Sequence, residues 1–324
     1  MTSPIKEDTG PKMSSKVLFA FGCVYLFWGS TYVAIRFGVQ VLPPFVLGAV
    51  RYVLSGALML LFCRVRGISL RLSSREAYLQ TIIGVLLLGG GNVGLIYAEK
   101  TLASGLSSLI LAVIPLYVAL FEAVTPRGEG LRARGWLGVS IGFAGLVVLL
   151  WPGLRESLHG NRGQMVGALF ALGSALSWTV GTIVARRCKM SVSPFASAAW
   201  QMLLPGLFNG VVMLAMGSWA DAHWGAQAWI SVIYLVTFGS LVGYTAYIYL
   251  LEHVPVAKVA TYAYINPMVA VALGALFLHE RMVGIEYIGM ASILIAVWLV
   301  TSSKLKTGTS MAEVECAEAV VSGE

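Results

Sequence analysis

The sequence predicts an all-α membrane protein, with ten transmembrane helices arranged as two inverted five-helix repeats. Three observations lead to this fold class: the composition, the number of long apolar runs and an internal repeat. Of the 324 residues, 58% are apolar and only 11% are charged, and the mean hydropathy is +0.81. Soluble domains carry about 25% charged residues, so this chain lacks the polar surface that water requires.

Ten apolar runs are long enough to cross about 30 Å of hydrocarbon, which takes about 20 helical residues. The predicted spans are 17–36, 43–63, 78–98, 101–124, 135–151, 164–185, 195–217, 227–250, 256–278 and 283–302. Continuous rather than alternating apolar runs favour helices over a membrane β-barrel. The first run is too long for a signal peptide and has no small-residue cleavage site, which predicts a permanent helix.

The distribution of Lys and Arg among the loops predicts the orientation. With the N-terminus inside, 16 of the 22 basic residues lie on the inner side, 5 lie on the outer side and Arg51 lies within the membrane. Both termini are therefore predicted to be cytoplasmic, in a multi-pass protein of the bacterial inner membrane. Because topology accounts for most of the net charge of +7, no nucleic-acid partner is expected.

The second half of the membrane region repeats the first with a shift of about 150 residues. The most informative identities are Trp28/Trp178, Arg36/Arg186, Pro44-Phe45/Pro194-Phe195 and Gly56/Gly206. Each copy holds five helices, and since five is odd the second copy must enter the membrane from the opposite side. Inverted repeats of this kind are typical of secondary transporters, whose substrate site lies near the midplane between the halves.

The repeat sets the predicted domain organisation. It comprises a cytoplasmic N-terminal tail at 1–16, a first repeat at 17–151, an extracytoplasmic linker at 152–163, a second repeat at 164–302 and a disordered cytoplasmic tail at 303–324.

Two groups of short sequence strings carry a family resemblance. Near the N-terminus they are Phe27–Tyr32 (FWGSTY), Ile35-Arg36, Pro43-Pro44 and Val50–Tyr52 (VRY). In and after the ninth predicted helix they are Thr261–Pro267 (TYAYINP), Val269–Val271, Leu273-Gly274 and Leu278–Arg281 (LHER). Together they resemble an EamA-type transporter of the drug/metabolite transporter superfamily, over about 17–302. The resemblance implies a ten-helix exporter of amino acids, related metabolites, pigments or drugs.

Arg51 is the sharpest candidate for a substrate-binding residue. It lies eight residues beyond Pro43, roughly 12 Å below the outer edge of the hydrocarbon at 1.5 Å per residue. An embedded Arg is costly and should face the bundle interior or a wet cavity, where its guanidinium could bind a substrate carboxylate. The alternative is a structural role, in which Arg51 pairs with an Asn or with backbone carbonyls, or extends toward the interface.

Other polar and aromatic residues embedded in the predicted helices complete the candidate site. The further substrate-binding candidates are Trp28, Thr31, Tyr32, Asn92, Trp178, Gln201, Tyr262 and Asn266. Such surfaces suit amphipathic solutes of modest size, although interhelical packing and hydrogen bonding would also explain them. Pro115 and Pro267, at matching positions of the two halves, are expected to loosen their helices near this site.

For Glu99, close to a helix end, the favoured interpretation is a solvated carboxylate at the membrane interface; the alternative is proton coupling, for which Glu99 is the candidate. Glycine pairs such as Gly90/Gly94, Gly138/Gly142 and Gly239/Gly243 fit close helix contact. Such contact could occur within one chain or in a homodimer, and the sequence leaves both open.

The sequence holds no catalytic signature, zinc-ligand spacing, phosphate loop or dinucleotide fingerprint. We therefore expect no enzyme activity and no cofactor or metal. The predicted function is a secondary transporter, exporting small metabolites or drugs by alternating access and driven by an ion gradient or by the gradient of its substrate. The alternatives are an integral membrane enzyme and a non-transporting sensor or scaffold.

Overall fold

A computed structural model describes residues 14–125, 130–160, 162–188 and 190–304, and these residues form helices and connecting turns without any strand. The predicted tails at 1–13 and 305–324 lie outside the described residues. The main helices are α1 Ser15–Gly38, α2 Pro44–Val65, α3 Ser74–Ala98, α4 Ser104–Val124, α5 Ala133–Leu158, α6 Gly163–Arg187, α7 Pro194–Ala215, α8 Ala226–His253, α9 Tyr262–Phe277 and α10 Gly284–Lys304.

Nine of these helices are long and apolar enough to cross a membrane, within the part of the chain that the structure describes. The exception is α9, whose 16 residues span roughly 24 Å at 1.5 Å per residue. The sequence predicted a span over 256–278, but Val256–Val259 forms a separate short turn of helix. Residues 260 and 261 then form a turn before α9 begins.

The predicted linker at 152–163 is mostly helical, because α5 continues through Pro152 to Leu158. Pro152 removes one backbone donor but does not end the helix. The connection between α5 and α6 is therefore much shorter than the sequence suggested.

Helix pairing follows one rule across the bundle. The helices α2 and α7, α4 and α9, and α5 and α10 pack against each other. Likewise α1 packs on α8 and α9, just as α6 packs on α3 and α4. If each helix is replaced by the helix five places later or earlier in the chain order, the same set of contacts results.

The crossing of α2 and α7 explains one identity of the repeat. A Cβ at Gly56 would lie 2.6 Å from the backbone nitrogen of Leu203, and a Cβ at Gly206 would lie 2.6 Å from the backbone nitrogen of Val53. Both contacts are too short for any side chain. The two glycines therefore let the helix backbones touch in a reciprocal manner.

Irregular backbone is concentrated in the helices that face the bundle interior. π-Helical turns occupy Val24–Trp28 in α1, Val85–Asn92 in α3 and Leu235–Tyr244 in α8. In addition, α4 is interrupted at Ala112 and Val113, directly before Pro115, whereas α9 continues through Pro267. Such π-turns within α-helices are frequent at functional sites.

The outer surface of the bundle carries large apolar side chains, as a lipid-facing surface should. Trp219, Trp224 and Trp229, beside the loop between α7 and α8, are 59%, 44% and 50% exposed. Aromatic side chains at the ends of spans are typical of the membrane–water interface.

The glycine pairs contact helices of the same chain. A Cβ at Gly94 would meet Ser174 of α6, and one at Gly138 would meet Leu299 of α10. The pairs are thus used in packing the monomer. They carry no argument for a homodimer, which stays a prediction.

Candidate functional site

A narrow central cavity lies among the irregular parts of the helices. Its volume is about 50 Å³, which is room for a few water molecules. Eight of the nine predicted substrate-binding residues line it, namely Trp28, Thr31, Tyr32, Arg51, Asn92, Trp178, Tyr262 and Asn266. They come from five helices, α1, α2, α3, α6 and α9, so residues from both halves of the chain line the cavity.

Arg51 is 3% exposed and is held by neutral partners from two helices. Its Nε donates to Ser240 Oγ of α8 at 2.9 Å, and its Nη1 donates to Asn92 Oδ1 of α3 at 3.1 Å. Gly239 permits this placement, since a Cβ there would lie 2.7 Å from Arg51 Nη2. Among the described residues, no carboxylate lies within ion-pair distance of Arg51.

Four aromatic side chains pack together beside the cavity, and we call them the aromatic cluster: Trp28, Trp178, Tyr247 and Tyr262. Trp28, Trp178 and Tyr262 line the cavity, and Tyr247 packs behind them. Trp28 makes edge contacts with Trp178 and Tyr262, at ring-centroid distances of 5.4 and 5.5 Å. Its Nε1 donates to the Gly239 carbonyl at 3.0 Å. The repeat-related residues Trp28 and Trp178 therefore meet at the centre of the bundle.

Asn266 and Tyr52, which both line the cavity, each hold a polar atom that is buried without a partner among the described residues. Asn266 is 2% exposed and Tyr52 is 1% exposed. Neither Asn266 Oδ1 nor the Tyr52 hydroxyl has a hydrogen-bond partner within the described part of the chain. Leaving such a group unpaired costs about 1–3 kcal/mol, so these atoms are available to a bound solute.

Gln201 is the one predicted binding residue that does not line the central cavity. The Tyr244 hydroxyl donates to Gln201 Oε1 at 2.6 Å, and Gln201 Nε2 donates to Gln80 Oε1 at 2.6 Å. Gln80 Nε2 in turn donates to Ser197 Oγ at 3.0 Å. We call these four residues the amide chain. Tyr244 lines the central cavity and Gln201 lines a second cavity, so the amide chain separates the two.

The second cavity, which we call the vestibule, has a volume of about 560 Å³. Its lining includes Arg186 in the last turn of α6, Cys188 just beyond that helix, and Glu252 and His253 at the end of α8. Small-solute sites have volumes of about 300–1,000 Å³. The vestibule is therefore large enough for a small solute, whereas the central cavity in this conformation is not.

At the helix ends opposite the vestibule lies a cluster that we call the seal: Arg36, Glu99, Ser104 and Glu280. Glu280 accepts hydrogen bonds from the Ser104 backbone N–H, at 3.0 Å to each oxygen, and from Ser104 Oγ at 2.6 Å. Arg36 Nε lies 3.9 Å from Glu280 Oε1, and Arg36 Nη1 donates to the Glu99 carbonyl. The seal thus joins the ends of α1, α3 and α9 to the start of α4.

The turn after α9 aims Glu280 at Ser104. His279 has a φ of 53°, a left-handed conformation that costs a non-glycine residue roughly 1–2 kcal/mol. The Glu280 N–H donates to the Gly274 carbonyl at 3.1 Å. This closed turn folds the Glu280 side chain back over the end of the helix.

Glu99 corrects one expectation. A solvated interfacial carboxylate was the favoured interpretation of this residue, but its side chain is 0% exposed. The sequence placed Glu99 at a helix end and gave no sign that Arg36 and Glu280 would cover it. Ser240 and Glu280 were likewise missed as parts of the site, because they lie far from Arg51 and Arg36 in the sequence. Tyr52 was also missed, although it directly follows Arg51.

The chain matches the EamA-like transporter family twice, over residues 15–151 and 165–302. The chain belongs to the EamA-like transporter family. The resemblance in the FWGSTY and TYAYINP strings is therefore confirmed.

Curated relatives of this EamA-like protein are named as transporters. The uncharacterized inner membrane transporter YedA of Escherichia coli K12 is 34% identical over 88% of this chain and 90% of its own length. A probable amino-acid metabolite efflux pump of the same organism is 25% identical over 85% of this chain and 91% of its own. A solved structure titled "Crystal structure of protein" matches with a TM-score of 0.65 at 22% identity, covering 89% of this chain and 97% of that one. That structure supports the fold alone.

Family, relatives and apolar helices agree on a coarse function. This EamA-like chain is a multi-pass membrane transporter.

Proposed function

We propose that the protein is a secondary transporter, exporting small amphipathic metabolites that carry a carboxylate across the bacterial inner membrane. The observation that carries the proposal is Arg51, a buried guanidinium within the membrane whose hydrogen bonds, among the described residues, go to the neutral side chains of Ser240 and Asn92. A fixed charge without an acidic partner is costly in hydrocarbon. A substrate carboxylate would offset that cost and would accept from the free side of the guanidinium fork.

The rest of the cavity suits the other parts of such a solute. The unpartnered Asn266 Oδ1 would accept from an ammonium or amide group. The aromatic cluster would pack against an apolar side chain. The name of the relative described as an amino-acid metabolite efflux pump supports the same substrate class. Trp28, Thr31, Tyr32, Asn92, Trp178, Tyr262 and Asn266 would line the bound solute, while Gln201 would act from the vestibule side.

The transport mechanism proposed is alternating access between two inverted five-helix repeats of a ten-helix bundle. The double family match and the pairing of α1–α5 with α6–α10 support it. In the orientation predicted from the Lys and Arg count, both termini and the vestibule face the cytoplasm and the seal faces outward. The central cavity must widen to admit a solute. Rocking of the two repeats about the α2–α7 and α5–α10 contacts would provide that space.

The energy source proposed is an ion gradient, with protons as the candidate ion, because the sequence carries no phosphate loop. This part of the proposal is independent of the substrate class.

Counterflow in proteoliposomes tests the function. Vesicles loaded with an apolar amino acid should accumulate the labelled amino acid, and the corresponding amide without a carboxylate should compete poorly. Arg51→Ala should abolish uptake, whereas the matched control Arg64→Ala, at the exposed end of α2, should retain it. Equal competition by the amide, or full uptake with Arg51→Ala, would overturn the assignment of Arg51. Absence of flux for carboxylates, amines and neutral solutes alike would favour a sensor or scaffold.

A further inference from the structure

Glu99 occupies an unusual position for an acidic residue. It lies one residue beyond the end of α3, its side chain is 0% exposed, and both carboxylate oxygens lack a hydrogen-bond partner in the described residues. Charged and titratable groups face it from three directions: Arg36 and Tyr32 from α1, Arg51 from α2, and Glu280 from the end of α9. An ionised carboxylate without hydrogen bonds is among the costliest groups to bury.

The electrostatics favour the neutral form of Glu99 in this conformation. Burial raises the pKa of the Glu99 carboxyl well above its usual range, and the negative charge of Glu280 raises it further. The positive charges of Arg36 and Arg51 act in the opposite direction. Because loss of solvent is the largest of these effects, hydration of Glu99 would restore its acidity.

Glu99 and Glu280 compete for one cation. In the seal, Arg36 Nε faces Glu280 at 3.9 Å, while Arg36 Nη1 bonds to the main-chain carbonyl of Glu99 rather than to its carboxylate. An ionised Glu99 would repel Glu280 and attract the guanidinium of Arg36. It would therefore weaken the contact that ties Glu280 to α1, while the hydrogen bonds from Ser104 to Glu280 would remain.

We infer that Glu99 is a proton-binding site that controls the seal. With the proton bound, the carboxyl is neutral and Arg36 stays with Glu280, so the outer end is closed. When the outer end opens, water reaches Glu99, the proton passes to that water, and the carboxylate keeps Arg36 away from Glu280. Uptake of a proton from the outer side reverses the step. This inference rests on the proposed carrier function, because opening of the outer end is one step of alternating access.

Infrared difference spectroscopy of the full chain in lipid nanodiscs tests proton binding without any substrate. A protonated buried carboxyl should give a C=O stretching band at neutral pH, and this band should disappear when the pH rises. Glu99→Gln should lack the band, whereas Asp221→Asn, in the exposed loop between α7 and α8, should retain it. A neutral-pH spectrum without a band that depends on Glu99 would overturn the inference.

Thiol accessibility tests control of the seal. Leu95 is 4% exposed, lines the central cavity and lies one helical turn before Glu99, so Leu95→Cys in a chain without its native cysteines reports opening from the outer side. We expect its labelling rate to increase about tenfold per unit of external pH below the pKa of Glu99, as one-proton control requires. Rates are normalised to Asp221→Cys, which corrects for the titration of the thiol itself.

Adding Glu99→Gln, which mimics the protonated acid, should keep the labelling of Leu95→Cys slow at every pH. A labelling rate independent of pH in the parent, or an unchanged pH dependence with Glu99→Gln, would contradict the inference. Both measurements are made without cargo. If counterflow is normal but neither measurement detects proton binding at Glu99, only the proton site is wrong. If Glu99 titrates but carboxylates give no counterflow, the proposed substrate class is wrong.

Discussion

The contacts on the two sides of the central cavity differ in their chemistry. At the seal, charged groups meet, and Glu280 accepts from the backbone N–H and from the hydroxyl of Ser104 beside the guanidinium of Arg36. At the vestibule end, the amide chain of Ser197, Gln80, Gln201 and Tyr244 is neutral throughout. Charged hydrogen bonds contribute about 1.5–3 kcal/mol each, against about 0.5–1.5 kcal/mol for neutral ones.

This difference teaches how a nearly symmetric helix arrangement can work in one direction. A proton can weaken or strengthen the seal, because carboxylates take part in it. No proton binds to the amide chain near neutral pH, since Gln and Ser do not titrate there. We therefore expect the vestibule end to respond to the solute and the seal to respond to the outer pH.

The largest expected effect lies between the two ends, at Arg51. Arg51→Ala should reduce counterflow by about 100-fold or more, the loss of two charged hydrogen bonds to a carboxylate. Arg51→Lys should recover only part of this, because an ammonium lacks the planar fork. The measurement is initial uptake at matched amounts of folded protein. If Arg51→Lys transports as well as the parent, the bidentate contact is wrong.

Breaking the seal should have the next largest effect. Glu280→Ala removes the acceptor of both Ser104 donors, so labelling of Leu95→Cys from the outer side should rise about 10- to 100-fold, corresponding to about 1.5–3 kcal/mol. The control Asp221→Ala removes an exposed carboxylate and should change nothing. Unchanged labelling in Glu280→Ala would mean that packing, rather than the seal, closes this end.

Breaking the amide chain should have a smaller effect. Gln201→Leu leaves the Gln80 and Tyr244 groups buried and unpaired, at a cost of about 1–3 kcal/mol. We expect a lower melting temperature and a maximal rate reduced severalfold. Since Gln201 does not line the central cavity, the half-saturation concentration should hardly change. A large rise in that concentration would instead show that Gln201 contacts the solute. Gln40→Leu, at an exposed position, is the control.

The smallest expected effect concerns a native reporter. Cys188 borders the vestibule, whereas Cys23 and Cys63 are buried. With Cys316 replaced by Ser, Cys188 should be labelled from the cytoplasmic side, and saturating cargo should slow labelling about twofold to fivefold by shifting the conformational population. Labelling only from the outer side would reverse the proposed orientation of the vestibule.

The sequence predicted the helices well because a helix that crosses the bilayer needs a long apolar run, which is directly visible in the sequence. It also predicted Arg51, Asn92 and Asn266 as parts of one site, because polar groups inside a span have few uses besides binding and pairing. The ends of the helices were harder to predict from the sequence. The passage of α5 through Pro152 and the short start of α9 depend on tertiary packing rather than on hydropathy.

Contacts between distant charges could not be predicted. Arg36 and Glu280 are far apart in sequence, and nothing in the strings around them indicates that they meet over Glu99. The helices α2 and α7 show that a sequence repeat does not predict where repeat-related side chains lie either. Their Gly56 and Gly206 contacts are reciprocal, yet the repeat-related residues Arg51 and Gln201 face different cavities.

The three π-helical turns determine which side chains of their helices point into the bundle interior. An additional residue in a helical turn advances the phase of all following side chains by about 100° relative to an uninterrupted α-helix. In α3, the turn at Val85–Asn92 therefore sets the face shown by Asn92 and Leu95 independently of the face shown by Gln80. Deleting one residue of Gly89–Gly91 would make α3 a continuous α-helix and would rotate Asn92 away from Arg51. The residues on either side of the deletion would be unchanged. The direction in which the binding groups point thus depends on the number of residues in the preceding π-helical turn, and not on which residues these are.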